Sequence, residues 1–127
     1  MPKKYFDCVY GQDLAPSVLT DTLNSGEFVI GDVSRFDSSF NDVQPGDVIL
    51  LSVNGKIVAY GEAQSSLLPR IDHWKVSVRV DWKRFDSTDA YKGVSAKGVS
   101  RENPSNSRTV AKQVSKDWAE AIIKEFP

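Results

Sequence analysis

One histidine, one cysteine and three tryptophans bound the chemistry open to this chain of 127 residues. A structural zinc site takes four ligands drawn mostly from His and Cys, and His73 with Cys8 supply two. The zinc-deaminase pattern H-x-E with P-C-x-x-C is absent, as are G-x-x-x-x-G-K-[ST], G-x-G-x-x-G and G-x-S-x-G. Nuclease sites built on several histidines are excluded by the same count. His73 could act as base for a Ser or for Cys8, but no spacing supports such a pair. A His beside a Trp at a strand start reads as surface or pocket wall. Carboxylate pairs such as Asp32 and Asp37 fall together in a loop, where chance suffices. The expectation is a binding module rather than an enzyme, with no metal and no cofactor.

The cations carry the second signal. Net charge is −1, but residues 1–69 hold four Lys/Arg against nine Asp/Glu, whereas residues 70–127 hold twelve against eight. The chain therefore has an acidic half and a basic half. Lys75, Arg79 and Lys83 share the polar side of one alternating segment, and Lys97, Arg101 and Arg108 lie in or beside an Asn/Ser-rich stretch. Such charges are ordinarily a solvated face. Gathered along a groove, they supply the sequence-independent part of nucleic-acid affinity.

These residues must be positioned by a small fold. Hydrophobic residues make up 40% and charged residues 26%, ordinary values for a globular domain, and the length suits one domain over 1–127. The start, "MPKKYFDCVYGQ", has no apolar segment or cleavage site of a signal peptide, and no apolar run reaches the length of a membrane span. A lone cysteine adds to the expectation of a cytoplasmic setting.

"YFDCVY" reads as a first strand. In "LAPSVLTDTLNSG", Leu14, Val18, Leu19 and Leu23 recur at helical spacing, with Pro16 in the first turn and Gly26 as the stop. "EFVIGDVS" returns to strand composition, and residues 34–46 are turn-rich. "GDVILLSVNGKIVAYGEA" then reads as a hairpin of buried strands about Asn54-Gly55. In "WKVSVRVDW", Trp74, Val76, Val78, Val80 and Trp82 point one way and the polar residues the other. Residues 86–108, with the doubled "KGVSAKGVS", read as a long loop. "TVAKQVSKDWAEAIIKEF" carries Val110, Val114, Trp118, Ala121, Ile122 and Phe126 in one stripe and reads as an amphipathic helix. The sum is an α+β fold, a small mixed barrel of about five to six strands with flanking helices.

At this point "VQPGDVILLSVNGKIVAYGEA", followed by "WKVSVRVDW" and later "NPSNSRTVAKQV", resembles the EVE and YTH domains of the PUA-like superfamily. The similarity spans residues 27–126. The resemblance implies a PUA-like barrel that draws a modified base out of a strand and holds it between aromatic and apolar walls. Extrusion costs a few kcal/mol, and stacking returns about 1–3 kcal/mol per base.

On this resemblance Trp74, eight residues before the strand-end Trp82, occupies the place of a cage Trp. The other wall falls in "GDVSRF", so Asp32, Val33, Ser34 and Phe36 are its candidates, with Tyr5 as a substitute aromatic. No Trp occupies residues 31–40, and Leu68 and Pro69 stand where a further cage Trp is expected, so one wall is aliphatic. Arg108, inside the Asn-Ser-Arg match, is the foremost backbone contact, with Arg79, Lys75, Arg101 and Lys97 beside it. The function implied is recognition of a methylated, flipped base, with DNA favoured over RNA. By the same analogy the chain is the specificity module of a modification-dependent restriction endonuclease, joined to a nuclease or NTPase effector. The alternative is a stand-alone PUA- or ASCH-like protein that binds RNA or a small metabolite. Which base is marked, and whether the protein dimerises, the sequence leaves open.

Overall fold

"VILLSV" has six residues apolar enough to be covered on both sides, and in the structure all six are buried. This strand is the axis of the sheet. The computed structural model describes residues 3–10, 16–30, 38–53, 56–69, 76–86, 88–89, 92–95 and 111–127. Its elements are β1 (Tyr5–Tyr10), α1 (Pro16–Ser25), β2 (Glu27–Ile30), a 3-10 turn (Ser38–Asp42), β3 (Val48–Val53), β4 (Lys56–Ala63), β5 (Leu68–Pro69), β6 (Val76–Arg84), β7 (Val94–Ser95), β8 (Ala111–Val114) and α2 (Lys116–Ile123).

Six strands run in the order β2-β6-β4-β3-β1-β8, with the two-residue strands β5 and β7 added beside β6 and β4. The path is open between β2 and β8 among the described residues, so this is a mixed sheet with helices, not a hydrogen-bonded closed barrel. β1 and β3 are parallel, and the other ladders are antiparallel. A parallel pair needs a crossover, and α1 and β2 lie within it.

The hairpin forms as expected, with Val53 opposite Lys56 and residues 54–55 between them. One irregularity divides it. Leu51 faces Ala59 but Ser52 faces Ile57, so Val58 is the extra residue of a bulge. That insertion turns Val58 and Ala59 to the same side, both into the first core.

Residues directly opposite in a ladder share a face, and the register makes two layers. On one side Phe6, Cys8, Ile49, Leu51 and Val78 meet Leu19 and Leu23 of α1. Phe40, from the 3-10 turn, fills this core and stands edge-on to Phe6 (5.1 Å) and Phe28 (6.5 Å). On the other side Tyr5, Leu50 and Ile57 pack under Trp118, Ala119 and Ile122 of α2. Trp82 packs half-buried on the first core and Trp118 is buried in the second. "PGD" locks the start of the hairpin. Gly46 takes φ 97°, and Asp47 accepts from Lys4 N and Gln44 N, each at 3.0 Å. One buried carboxylate thus satisfies two backbone donors that no strand would pair.

Three readings are corrected. The helix expected across residues 109–126 starts later: Ala111–Val114 pair with β1 as β8, and Ser115 caps α2, its Oγ accepting from Trp118 N at 3.2 Å. A Ser side chain that accepts from the third helical N–H fixes the helix start there, so residues ahead of it are extended. Second, the long loop contains a strand, since Val94 and Ser95 pair with Ile57 and Lys56 and bury Val94. The alternation of β6 also breaks at one position. Ser77, read as wet, is 3% exposed because β2 and β5 flank it on both edges.

Candidate nucleic-acid interface

The register of β6 organises the site. Ile30, the last residue of β2, stands opposite Val76, the first of β6, and Pro69 stands opposite Val76 on the other edge. Residues 31–37 and 70–75 are therefore both attached to one end of a three-stranded ladder. The candidate pocket residues Asp32, Val33, Ser34, Phe36 and Trp74 belong to these two segments and lie outside the described residues. What is described is the base on which they are mounted. Val76, Leu67 and Trp82 pack, partly buried, against the first core, and the Trp82 indole N–H donates to Glu27 O at 3.4 Å. Leu68 is 37% exposed at this same end, the one large exposed apolar side chain among the described residues.

Tyr5 does not join that end. It lies three strands from β6 in the sheet order, 5% exposed under α2, and its hydroxyl donates to Glu120 Oε1 at 3.1 Å. Burial raises the Tyr5 pKa, and the hydrogen bond and charge of Glu120 push it the same way. The phenol is held as a neutral donor between sheet and helix.

Of the cations proposed for the backbone, Arg79 is described; Lys75, Lys97, Arg101 and Arg108 lie outside the described residues. Arg79 is exposed on β6 opposite Glu27. Its backbone N–H donates to Ser65 Oγ at 3.0 Å, and its side chain borders a shallow hollow of about 400 Å³ with Ser25, Gly26, Gln64 and Asp81. An exposed guanidinium beside hydroxyl and amide groups can donate to a phosphate oxygen, with the Asp81 carboxylate of the same hollow opposing an anion there.

A feature missed in the sequence is a wider cleft of about 910 Å³ between the sheet and α2, lined by Tyr5, Tyr60, Glu62, Asp81, Lys83 and Glu120 among others. Lys83 Nζ stands 6.0 Å from the Tyr60 ring centre, and Phe126 meets Tyr60 edge-on at 4.8 Å. Glu62 and Asp81 face each other directly across β4 and β6. Their spacing in sequence holds no clue to that meeting, which depends on ladder register. Among the described residues no group of three or more His, Cys, Asp or Glu could hold a metal ion.

No protein-family model matches the chain, and no curated protein matches it. Solved structures do. The Pho92 YTH domain in complex with m6A superposes with TM-score 0.63 and 14% identity, over 98% of this chain and 83% of that one. The fold is YTH-like. The YTH domain of the Zygosaccharomyces rouxii MRB1 protein, in complex with N6-methyladenosine RNA, gives TM-score 0.63 and 17% identity, over 98% of this chain and 88% of that one. Rpa0253 from Rhodopseudomonas palustris gives 0.64 and 14% over 97% and 92%. At such identities the YTH-like likeness is one of backbone course.

Proposed function

We propose that this chain is a non-catalytic module that holds a methylated nucleobase, taken out of a nucleic-acid strand, at the end of the β2-β6-β5 ladder. The observation that carries the reading is the pairing of Ile30 and Pro69 with Val76, from which both candidate wall segments continue at one end of the ladder. The YTH-like fold supports it, because two domains of that fold are known in complex with m6A or N6-methyladenosine RNA.

In this reading Trp74 is one wall and Phe36 the aromatic facing it, while Asp32 and Ser34 meet the base edge. Leu68 and Pro69 supply the aliphatic side. A stacked wall returns about 1–3 kcal/mol, and a buried methyl adds about 0.8 kcal/mol, so discrimination depends on a close, dry fit. Arg108, with Arg79, Lys75, Arg101 and Lys97, tracks the phosphates. The finer proposal keeps DNA as the strand and a nuclease or NTPase effector as partner, by analogy with modification-dependent restriction systems. The neighbour in complex with N6-methyladenosine RNA makes RNA its direct competitor.

The test is binding of labelled oligonucleotides, DNA and RNA, that differ only in 5-methylcytosine, 5-hydroxymethylcytosine, N6-methyladenine or no mark, at two salt concentrations. One marked oligonucleotide should bind at least tenfold tighter than its unmarked twin. Trp74→Ala should abolish that ratio, and Arg108→Ala should weaken every oligonucleotide alike while flattening the salt dependence. Equal affinity for marked and unmarked strands would refute the reading.

A further inference from the structure

Asp7 is a buried acid that the interface does not use. It sits within β1, 2% exposed, on the face covered by α2. Leu50 stands opposite it on β3 and Lys112 opposite it on β8. Among the described residues its partner is Ser52, whose Oγ donates to Asp7 Oδ1 at 2.5 Å. The surrounding layer, Leu50, Ile57, Trp118 and Ile122, is apolar apart from the buried Trp118 indole N–H.

A carboxylate with one hydroxyl donor in such a layer is costly when ionised and tolerable when neutral. Burial lifts the Asp7 pKa from 3.8 to about 6, with the Ser52 hydrogen bond opposing the rise. The charged and titratable groups from the elements around it are few. Tyr5 on β1 is engaged by Glu120. β3 presents Val48, Leu50 and Ser52, none titratable near neutrality. Tyr60, Glu62, Asp81 and Lys83 of β4 and β6 line the open cleft, as do Asp117, Glu120 and Lys124 of α2. Lys116 of α2 pairs with Glu120 at 3.8 Å. Cys8 belongs to the opposite face, where burial first and the Asp7 charge second keep its thiol protonated. Lys112 is the cation nearest in register.

We propose that Asp7 is a proton-controlled anchor for the C-terminal strand. Neutral, it seals β1 against β8 and α2; ionised, it loosens that edge of the sheet. A consequence for nucleic-acid affinity through Arg108 rests on the reading above, whereas the anchor itself does not.

The sign follows from linkage. The folded pKa lies above the unfolded one, so the stability contributed by neutral Asp7 is full below about pH 4 and is lost as pH rises through about 6. The test uses the whole chain without nucleic acid, so its failure is separable from failure of the reader reading. From about pH 4.5 to about 7.5 the unfolding constant of the wild type should rise roughly 20- to 30-fold relative to that of Asp7→Asn. Amide protection in β8, corrected for intrinsic exchange, should fall in the wild type and hold in the variant. The Asp7 carboxyl carbon, followed by NMR in the folded wild type, should titrate near 6 and should be little changed by Lys112→Met. An identical pH slope in Asp7→Asn overturns the proposal. So does a wild-type carboxyl that titrates at 4 or below, or one that Lys112→Met moves upward by a unit or more. Should Asp7→Asn fail to fold, the wild-type carboxyl titration decides.

Discussion

Gly26 ends α1 with φ 71° and offers its carbonyl to Val80 N at 2.8 Å, so one residue both stops the helix and aligns β6 with the chain entering β2. A side chain there meets two penalties. The left-handed conformation disfavours it, and a Cβ would stand 3.3 Å from Val80 O. Gly26→Ala is expected to lower stability by about 1–2 kcal/mol, read as a lower urea midpoint with unchanged slope. Because β6 carries the ladder end, the variant should also weaken oligonucleotide binding more than its stability loss at a distance would suggest. Asp47 illustrates a different kind of single-residue control. The resemblance rests partly on its "PGD" signature, and the structure gives the physical reason for the acid there: it caps two backbone donors at the mouth of the hairpin.

Elements show where the sequence was legible. The hairpin could be read because apolar runs flank Asn-Gly, and α1 because Pro16 and Gly26 bracket its stripe. The bulge could not, since Ile57, Val58 and Ala59 are all apolar and any register looks equally good until the cores choose. β8 was hidden because Val110 and Val114 are four apart, a spacing that suits a helix and, being even, a strand too. The capping residue held the clue. Ser115→Ala removes the acceptor for Trp118 N and should cost about 1 kcal/mol, seen as faster amide exchange in the first turn of α2. Had the helix run on from residue 109, the same change would fall mid-helix and cost almost nothing. The candidate site was legible only as segments. Spacing from Trp82 marks Trp74, but that residues 31–37 and 70–75 adjoin one ladder end follows only from Ile30 pairing with Val76, across 46 positions that no local pattern encodes.

On the scale of the molecule, one sheet serves two faces with different tasks. The face under α1 and Phe40 is a buried apolar core, and it supports the ladder end on which the base site is proposed. The face under α2 is partly open and holds Tyr5, the cleft and the buried Asp7. Backbone similarity to YTH domains covers nearly the whole chain, so both faces belong to the shared architecture. The three tryptophans divide across them in a useful way: Trp118 is buried beneath α2, Trp82 packs on the first core, and Trp74 belongs to the proposed site. Their indole N–H signals in a nitrogen-15 correlation spectrum therefore report the central claim directly. On titration with a marked oligonucleotide, the Trp74 signal should shift and saturate while those of Trp82 and Trp118 stay nearly still, and the unmarked twin should leave all three in place. A Trp74 signal that ignores every marked strand, or follows marked and unmarked strands alike, would contradict the account.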